Sequence, residues 1–305
     1  MRSDTFRIHP RVEQALQEGR PVVAFESTII AHGMPYPRNV ETAFAVESVL
    51  EKAGAVPATI GMLAGVVVVG LSHQEIEVFG SDRTVQKACE RDLGVARARR
   101  LHAATTAGAS MAIAAAAGIR VFVTGGIGGV GPAASEDFDI SADLTALAAY
   151  PVVTVCSGAK AFMNIAATLE ALETLRVPVV GYRSDDFPLF YSPHSGQAVP
   201  WRAESAEEIA AMFRAHQELG LPGGVLVGVP VPEEQALSGE EGRRAIDVAL
   251  KEGRRAGIAG KGLTPYLLAA IQSATGGRSL EANVALILNN ALVGAEIAVA
   301  LARVS

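Results

Sequence analysis

Val152-Val-Thr-Val-Cys156-Ser-Gly-Ala-Lys160-Ala-Phe-Met-Asn-Ile-Ala-Ala-Thr-Leu-Glu-Ala-Leu-Glu-Thr-Leu-Arg-Val177-Pro-Val-Val-Gly-Tyr182 decides the fold. Its two ends are short, apolar and rich in β-branched residues, with no polar alternation. Such runs are strands with both faces covered. Between them Ala159–Leu175 carries a helical pattern. Strand, crossover helix and strand in this order make a parallel β-α-β unit.

The same alternation extends in both directions. Pro21–Phe25, Val56–Ile60, Val66–Val69, Ile119–Thr124 and Val225–Val229 read as further strands. Helical patterns cover Val40–Ala53, His102–Ala117, Glu207–Leu219, Glu240–Ala256, Pro265–Thr275 and Leu280–Ala302. Ser72/Glu75, Ser205/Glu208 and Ser238/Glu241 have the Ser-x-x-Glu spacing of a capping box. The expectation is an α/β protein of three α/β/α layers around a mostly parallel or mixed sheet, with residues 1–305 as one domain.

Ala53–Gln74 contains no Asp, Glu, Lys or Arg, so it invites comparison with a membrane span. Pro57 and four glycines argue against one, and a turn splits the stretch into two strands. Met1–Arg7 has no apolar core and does not read as a signal peptide. Cys89 and Cys156 are the only cysteines and form no metal or redox motif, which points to a reducing, cytoplasmic setting. Half of the residues are hydrophobic, enough for a large core. The net charge of −6 and the scarcity of aromatic residues argue against a nucleic-acid partner.

Three loops are longer than connections require: Glu26–Pro37, Gly125–Asp143 and Arg183–Pro200. Each follows a predicted strand end, where α/β sheets bind ligands. Glu26 ends the first strand, where partial desolvation suits a carboxyl to acid-base work or to pinning the loop. Gly126, Gly128 and Gly131 match the GxGxxG spacing. Pro132 and an acidic run then stand where a dinucleotide fold needs a helix. The glycine run is left as a backbone cradle for a small anion or as a tightly packed turn. Ser141 reads as a helix N-cap, and Asp139 and Asp143 beside it as ligands of a hard cation through water, or as plain capping residues. Lys160 follows an apolar strand among small residues, the setting of a desolvated nucleophilic amine or of a lysine reaching solvent. The six histidines show no zinc spacing, and no Gly-x-Ser-x-Gly elbow is present.

Several of these motifs stand in one order nearly end to end. They are Glu26-Ser-Thr-Ile-Ile-Ala-His-Gly-Met-Pro, Pro57-Ala-Thr-Ile, Arg91-Asp-Leu, Ala104-Thr-Thr and the glycine run to Val130. Phe138-Asp-Ile-Ser-Ala-Asp-Leu, Cys156-Ser-Gly-Ala-Lys160, Thr275-Gly-Gly-Arg-Ser-Leu and Asn289-Asn290 continue the series. Together they resemble the pseudouridine-5′-phosphate glycosidases, also described as indigoidine synthase A-like. The resemblance implies a homotrimer, a divalent metal, typically manganese (Mn2+), and a carbon–carbon bond made or broken between C1′ of ribose 5-phosphate and uracil. It implies Lys160 as the covalent lysine, Glu26 as proton donor and Asp139 as metal ligand. It also implies Lys87, Thr106, Ala107, Ser141, Ala142, Asp143 and Asn289 as substrate-binding residues.

Some positions depart from the family pattern. Gly131-Pro132-Ala133 replaces a His-Arg-Gly run, Ser192-Pro193-His194-Ser195 replaces a Thr-Arg-Ser type of run, and Val229-Pro230-Val231-Pro232 replaces Asn-Pro-Ile-Pro. Polar groups are lost from the loops while the lysine, the glutamate and the aspartate remain. On that ground the resemblance favours a C-glycosynthase joining ribose 5-phosphate to an aromatic polyketide-type acceptor, with pseudouridine 5′-phosphate cleavage as the alternative. A non-catalytic sugar-phosphate binder and a nicotinamide-dependent oxidoreductase are the more distant readings.

Overall fold

The structure, a computed structural model, describes residues 5–258 and 262–303. The first four residues of the Met1–Arg7 reading lie outside them.

The chain begins with β1 (Phe6–Ile8), α1 (Pro10–Gln17), β2 (Val22–Phe25) and α2 (Arg38–Lys52). The hairpin β3 (Val56–Leu63) and β4 (Val66–Val69) follows, then α3 (His73–Ser81), β5 (Gln86–Ala88), α4 (Leu93–Ala98) and β6 (Ala103–Thr105). The middle holds α5 (Ala107–Ala116), β7 (Val121–Val123), α6 (Ala134–Asp137), α7 (Ala142–Ala149), β8 (Val153–Cys156), α8 (Ile165–Thr174) and β9 (Val179–Tyr182). The remainder is β10 (Trp201–Ala203), α9 (Ala206–Glu218), β11 (Val225–Gly228), α10 (Gly239–Arg255), α11 (Leu263–Ala274) and α12 (Arg278–Ala302).

The main sheet has the order β3-β2-β7-β8-β11-β9-β10, and every neighbouring pair in it is parallel. The expected α/β/α architecture is therefore present. β3 belongs to two environments. Val56–Thr59 pairs with β2, and the following residues turn antiparallel to β4 and β6. The charge-free Ala53–Gln74 stretch is this hairpin.

Strand residues alternate between two cores, as the pleat requires. Val23, Phe25, Val121, Val123, Val153 and Val155 face α2, α9 and α12. Val22, Ala24, Phe122 and Cys156 face α1, α5, α7 and α8. By length and composition α12 is apolar enough to cross a membrane, yet most of that apolar stretch is buried inside the protein. Gly294 lets it lie directly against Val123.

Two expected helices are shorter than their patterns. His102–Ala117 contains the three-residue strand β6 before α5, because Ala103–Thr105 is claimed by β5 and β3. Ala159–Leu175 becomes helical only at Ile165, where the Asn164 side chain caps the first turn. Residues 159–164 are an irregular loop. The short strands β1, β5, β6 and β10 carried no pattern of their own, being three residues each. Of the capping boxes, Ser72/Glu75 forms completely. At Ser205 and Ser238 the serine bonds the helix amide, but Glu208 accepts from the Glu204 amide and Glu241 pairs with Arg278.

Candidate active site

A cavity of about 410 Å³ opens where the chain leaves β2, β6, β7 and β8. Parallel strands deliver their following residues to one edge of the sheet, which is where this cavity lies. Glu26, Lys87, Thr106, Ala107, Asp139, Ser141, Ala142, Asp143 and Lys160 all line it. Nine of the ten residues singled out from the sequence are thus brought together across more than 130 positions of chain. The tenth, Asn289, does not line the cavity. Its side chain donates to the Pro230 carbonyl at 3.1 Å.

Glu26 is almost fully buried. It accepts a hydrogen bond from the Thr124 hydroxyl. Burial pushes its carboxyl above the ordinary value, against the opposing pull of Lys160 and of the Thr124 bond. Lys160 Nζ donates to the Gly126 carbonyl at 3.0 Å. Glu26 and Lys160 therefore both touch the three-residue segment Thr124–Gly126. The backbone at Lys160 continues the ladder of β7 and β8 beyond the strands: Ser157 donates to Gly125, Ile127 to Gly158, and Lys160 to Ile127. Gly158 has a positive φ of 78° and sits directly against the Pro188 carbonyl. Any side chain there would displace the loop carrying Lys160.

The glycine run is a packing device. The amides of Ile127, Gly128, Val130 and Gly131 bond to Gly158, Asp143, Thr168 and Asp139 within the protein. The anion-cradle alternative does not hold for these four. A Cβ at Gly126 would lie 2.6 Å from the Phe190 ring, and Gly128 and Gly129 are pressed against Ser141 and Thr168.

Asp143 has a structural task. One carboxylate oxygen accepts from the Gly108 amide and the other from the Gly128 amide, each at 2.8 Å. It thereby joins the glycine run to the start of α5. Asp143→Asn turns one acceptor into a donor facing an amide. The expected result is a loss of about 1–3 kcal/mol in stability, measured by the urea midpoint, together with weaker substrate binding. Ser141 caps α7 as expected, accepting from the Asp143 amide at 3.2 Å. Thr106 caps α5. Ala107 and Ala142 begin these helices and line the cavity, and a helix N-terminus is an environment suited to an anion.

Lys87 and Arg91 add cationic side chains to the lining. Burial, and then the charge of Lys160, lower the Lys87 pKa. Cys89 also lines the cavity and its thiol donates to Asp92. The Cys156 thiol is fully buried and pushed up to about 12, so it is unreactive.

Sequence reasoning missed four contributors. His32 lines the cavity, and its buried Nε2 has no hydrogen-bond partner. Burial, then Lys87, lower its pKa and favour the neutral ring. Asn283 lines the cavity too, with Oδ1 buried and unpaired. Thr124 and Asn290 shape the floor. An asparagine inside an apolar helix face was the available signal for Asn283 and Asn290. Phe162, Met163, Phe190, Leu263 and Leu268 give the rest of the wall an apolar character.

The manganese implied by the resemblance has a limited donor set. Among the described residues no group of three or more His, Cys, Asp or Glu side chains converges on a metal. Asp139 is exposed at the cavity, whereas both Asp143 oxygens are engaged by amides. These donors fit a hard, largely hydrated cation held through one carboxylate, and not an all-protein cage.

The family model for indigoidine synthase A-like proteins matches residues 11–300. The chain belongs to the indigoidine synthase A-like family. A pseudouridine-5′-phosphate glycosidase of Caldanaerobacter subterraneus is 52% identical over 290 residues, spanning 95% of this chain and 94% of that protein. The corresponding protein of Alkaliphilus metalliredigens is 51% identical over 296 residues, 97% of this chain and 96% of its own. Among solved structures, the prealnumycin C-glycosynthase AlnA in complex with ribulose 5-phosphate superposes with a TM-score of 0.90. It is 37% identical, covering 98% of each chain. An indigoidine synthase A-like protein of Thermotoga maritima gives 0.89 at 35% identity, covering 98% of this chain and 97% of its own. This member of the indigoidine synthase A-like family is accordingly an enzyme of the glycosidase or lyase kind. The order of preference drawn from the loop departures is reversed, because the glycosidases are the more similar relatives.

Proposed function

We propose that this chain reversibly cleaves pseudouridine 5′-phosphate to uracil and ribose 5-phosphate through a covalent adduct on Lys160. The observation that carries the reading is the shared contact of Glu26 and Lys160 with Thr124–Gly126 inside one cavity. A C–C glycosidic bond has no heteroatom leaving group, so a simple pair of carboxylates is unsuited to it.

The sugar ring opens at C1′–O4′, with a proton passing to O4′, and Lys160 Nζ bonds to C1′. Glu26 delivers a proton to the uracil carbon as the C1′–C5 bond breaks, leaving an imine between Lys160 and C1′. Water hydrolyses the imine to ribose 5-phosphate and regenerates the amine. Synthesis runs the same steps backwards, with Glu26 accepting the proton. Lys87, Arg91 and the helix starts at Ala107 and Ala142 supply the phosphate with cations and amides. The unpaired Asn283 and His32, whose burial favours the neutral ring, are polar groups available to the base. A hydrated divalent cation on Asp139 would supply electrostatic stabilisation to sugar oxygens. The ligand of the AlnA complex, ribulose 5-phosphate, is an open-chain sugar phosphate, which supports an opened sugar here.

The apolar wall from Phe162 to Leu268 favours a second reading, transfer of the sugar to an aromatic acceptor. Incubation of the enzyme with ribose 5-phosphate and either uracil or a hydroxylated aromatic polyketide separates the two. Pseudouridine 5′-phosphate is the expected product. Coupling to the polyketide alone would overturn the uracil reading.

A further inference from the structure

We infer that Asn290 is a positioning residue that sets the relation between Glu26 and Lys160 by holding the Thr124–Gly126 backbone from beneath. The inference rests on the lysine-adduct reading above.

Asn290 is fully buried on α12. Its Nδ2 donates to the Thr124 carbonyl at 2.8 Å and also approaches the Gly125 carbonyl at 3.4 Å. Its Oδ1 accepts from the Ser157 hydroxyl at 3.1 Å. Two carbonyls on one side and a hydroxyl on the other assign the amide orientation, since a carbonyl can only accept. One side chain therefore ties together the segment leaving β7 and the segment leaving β8. The first carries the hydroxyl that bonds Glu26 and the carbonyl that bonds Lys160. The second carries Lys160 itself.

The anchor is rigid. Asn283, Asn290 and Gly294 are seven and four residues apart and share one face of α12. Gly294 presses that face onto Val123 of β7, which leads into Thr124. A buried amide at this point cannot be replaced by an apolar side chain without leaving the Thr124 carbonyl unbonded. Asn290 does not itself line the cavity and bonds neither Glu26 nor Lys160, so it acts only through the lining segment Thr124–Gly125 that it holds.

The test is Asn290→Asp, which keeps size and the acceptor but loses the donor. Cleavage of pseudouridine 5′-phosphate and borohydride trapping of ribose 5-phosphate are measured beside the wild type. We expect kcat to fall about 10–100-fold with KM within about threefold, because misplacement of reacting groups acts on the chemical step. Trapping slows as well. The pH limb governed by Glu26 moves upward, since Thr124 no longer holds the carboxylate, while Lys160, Asp143 and Lys87 still face it. If the aspartate variant does not fold, Asn290→Ser is compared in the same way, its hydroxyl serving one carbonyl. A folded variant with wild-type kcat and pH profile, or one in which only KM rises, overturns the inference. Absence of turnover and trapping by the wild type would instead overturn the functional reading on which it rests.

Discussion

Lys160→Ala abolishes turnover of pseudouridine 5′-phosphate in both directions, by about 10⁴-fold or more, the scale of losing a covalent nucleophile. The expectation follows from the place of the amine. Its Nζ is held by the Gly126 carbonyl in a cavity that also contains Glu26. Among the described residues the other lysine of the cavity lining is Lys87, which comes from β5, the strand paired with β6, and not from the segment after β8. Borohydride in the presence of ribose 5-phosphate adds the mass of a reduced sugar phosphate to the wild type, on the peptide containing Lys160. The variant gains none. Circular dichroism checks that it folds. Retained turnover above about one per cent in a folded variant contradicts the covalent role.

Glu26→Gln is the second large effect. Loss of the proton donor lowers kcat by roughly 10²–10⁴-fold. The adduct with ribose 5-phosphate alone still forms, because the proton from Glu26 is needed only at the aglycone carbon. Loss of both activities together would assign Glu26 a wider task. Burial raises this carboxyl above its ordinary value of 4.5, so the acid form persists to higher pH than for an exposed glutamate. Cleavage weakens as pH rises through the raised pKa, and synthesis strengthens. Stability follows the same titration. The folded protein binds this proton more tightly than the unfolded chain. The resulting stabilisation is fully present below pH 4.5 and is lost as pH rises through the folded pKa. Glu26→Gln removes the buried charge, so the variant melts higher than the wild type at neutral pH, and the gap closes in acid. Thermal scans across pH measure it. The native residue trades stability for a usable proton.

The strands of the main sheet were readable because central parallel strands are covered on both faces and become continuous apolar runs. Val153–Cys156 and Val179–Tyr182 are of this kind. Edge strands such as Phe6–Ile8 and Gln86–Ala88 are short and mixed, and their pairing depends on partners elsewhere in the chain. Glu26 and Lys160 were legible because each follows such a run abruptly. His32 was not, since a lone histidine in a predicted loop announces nothing until its Nε2 is buried and Lys87 is brought close enough to act on it.

The amino-acid order by itself determined the alternation of strand and helix, the loops at the strand ends and the residue types able to form an adduct and move a proton. Those are local properties, written in the spacing of apolar and polar residues. Only the tertiary structure decided where each of two adjacent asparagines points. Asn289 turns to Pro230, and Asn290 turns to the floor of the site. It also decided that the amides of Ile127, Gly128, Val130 and Gly131 hold the fold together and do not cradle an anion, because groups such as Asp143 and Thr168 take them. A helix residue and its neighbour differ by about 100° around the axis, and an amide's partner can lie anywhere in the chain, so both questions are settled by packing.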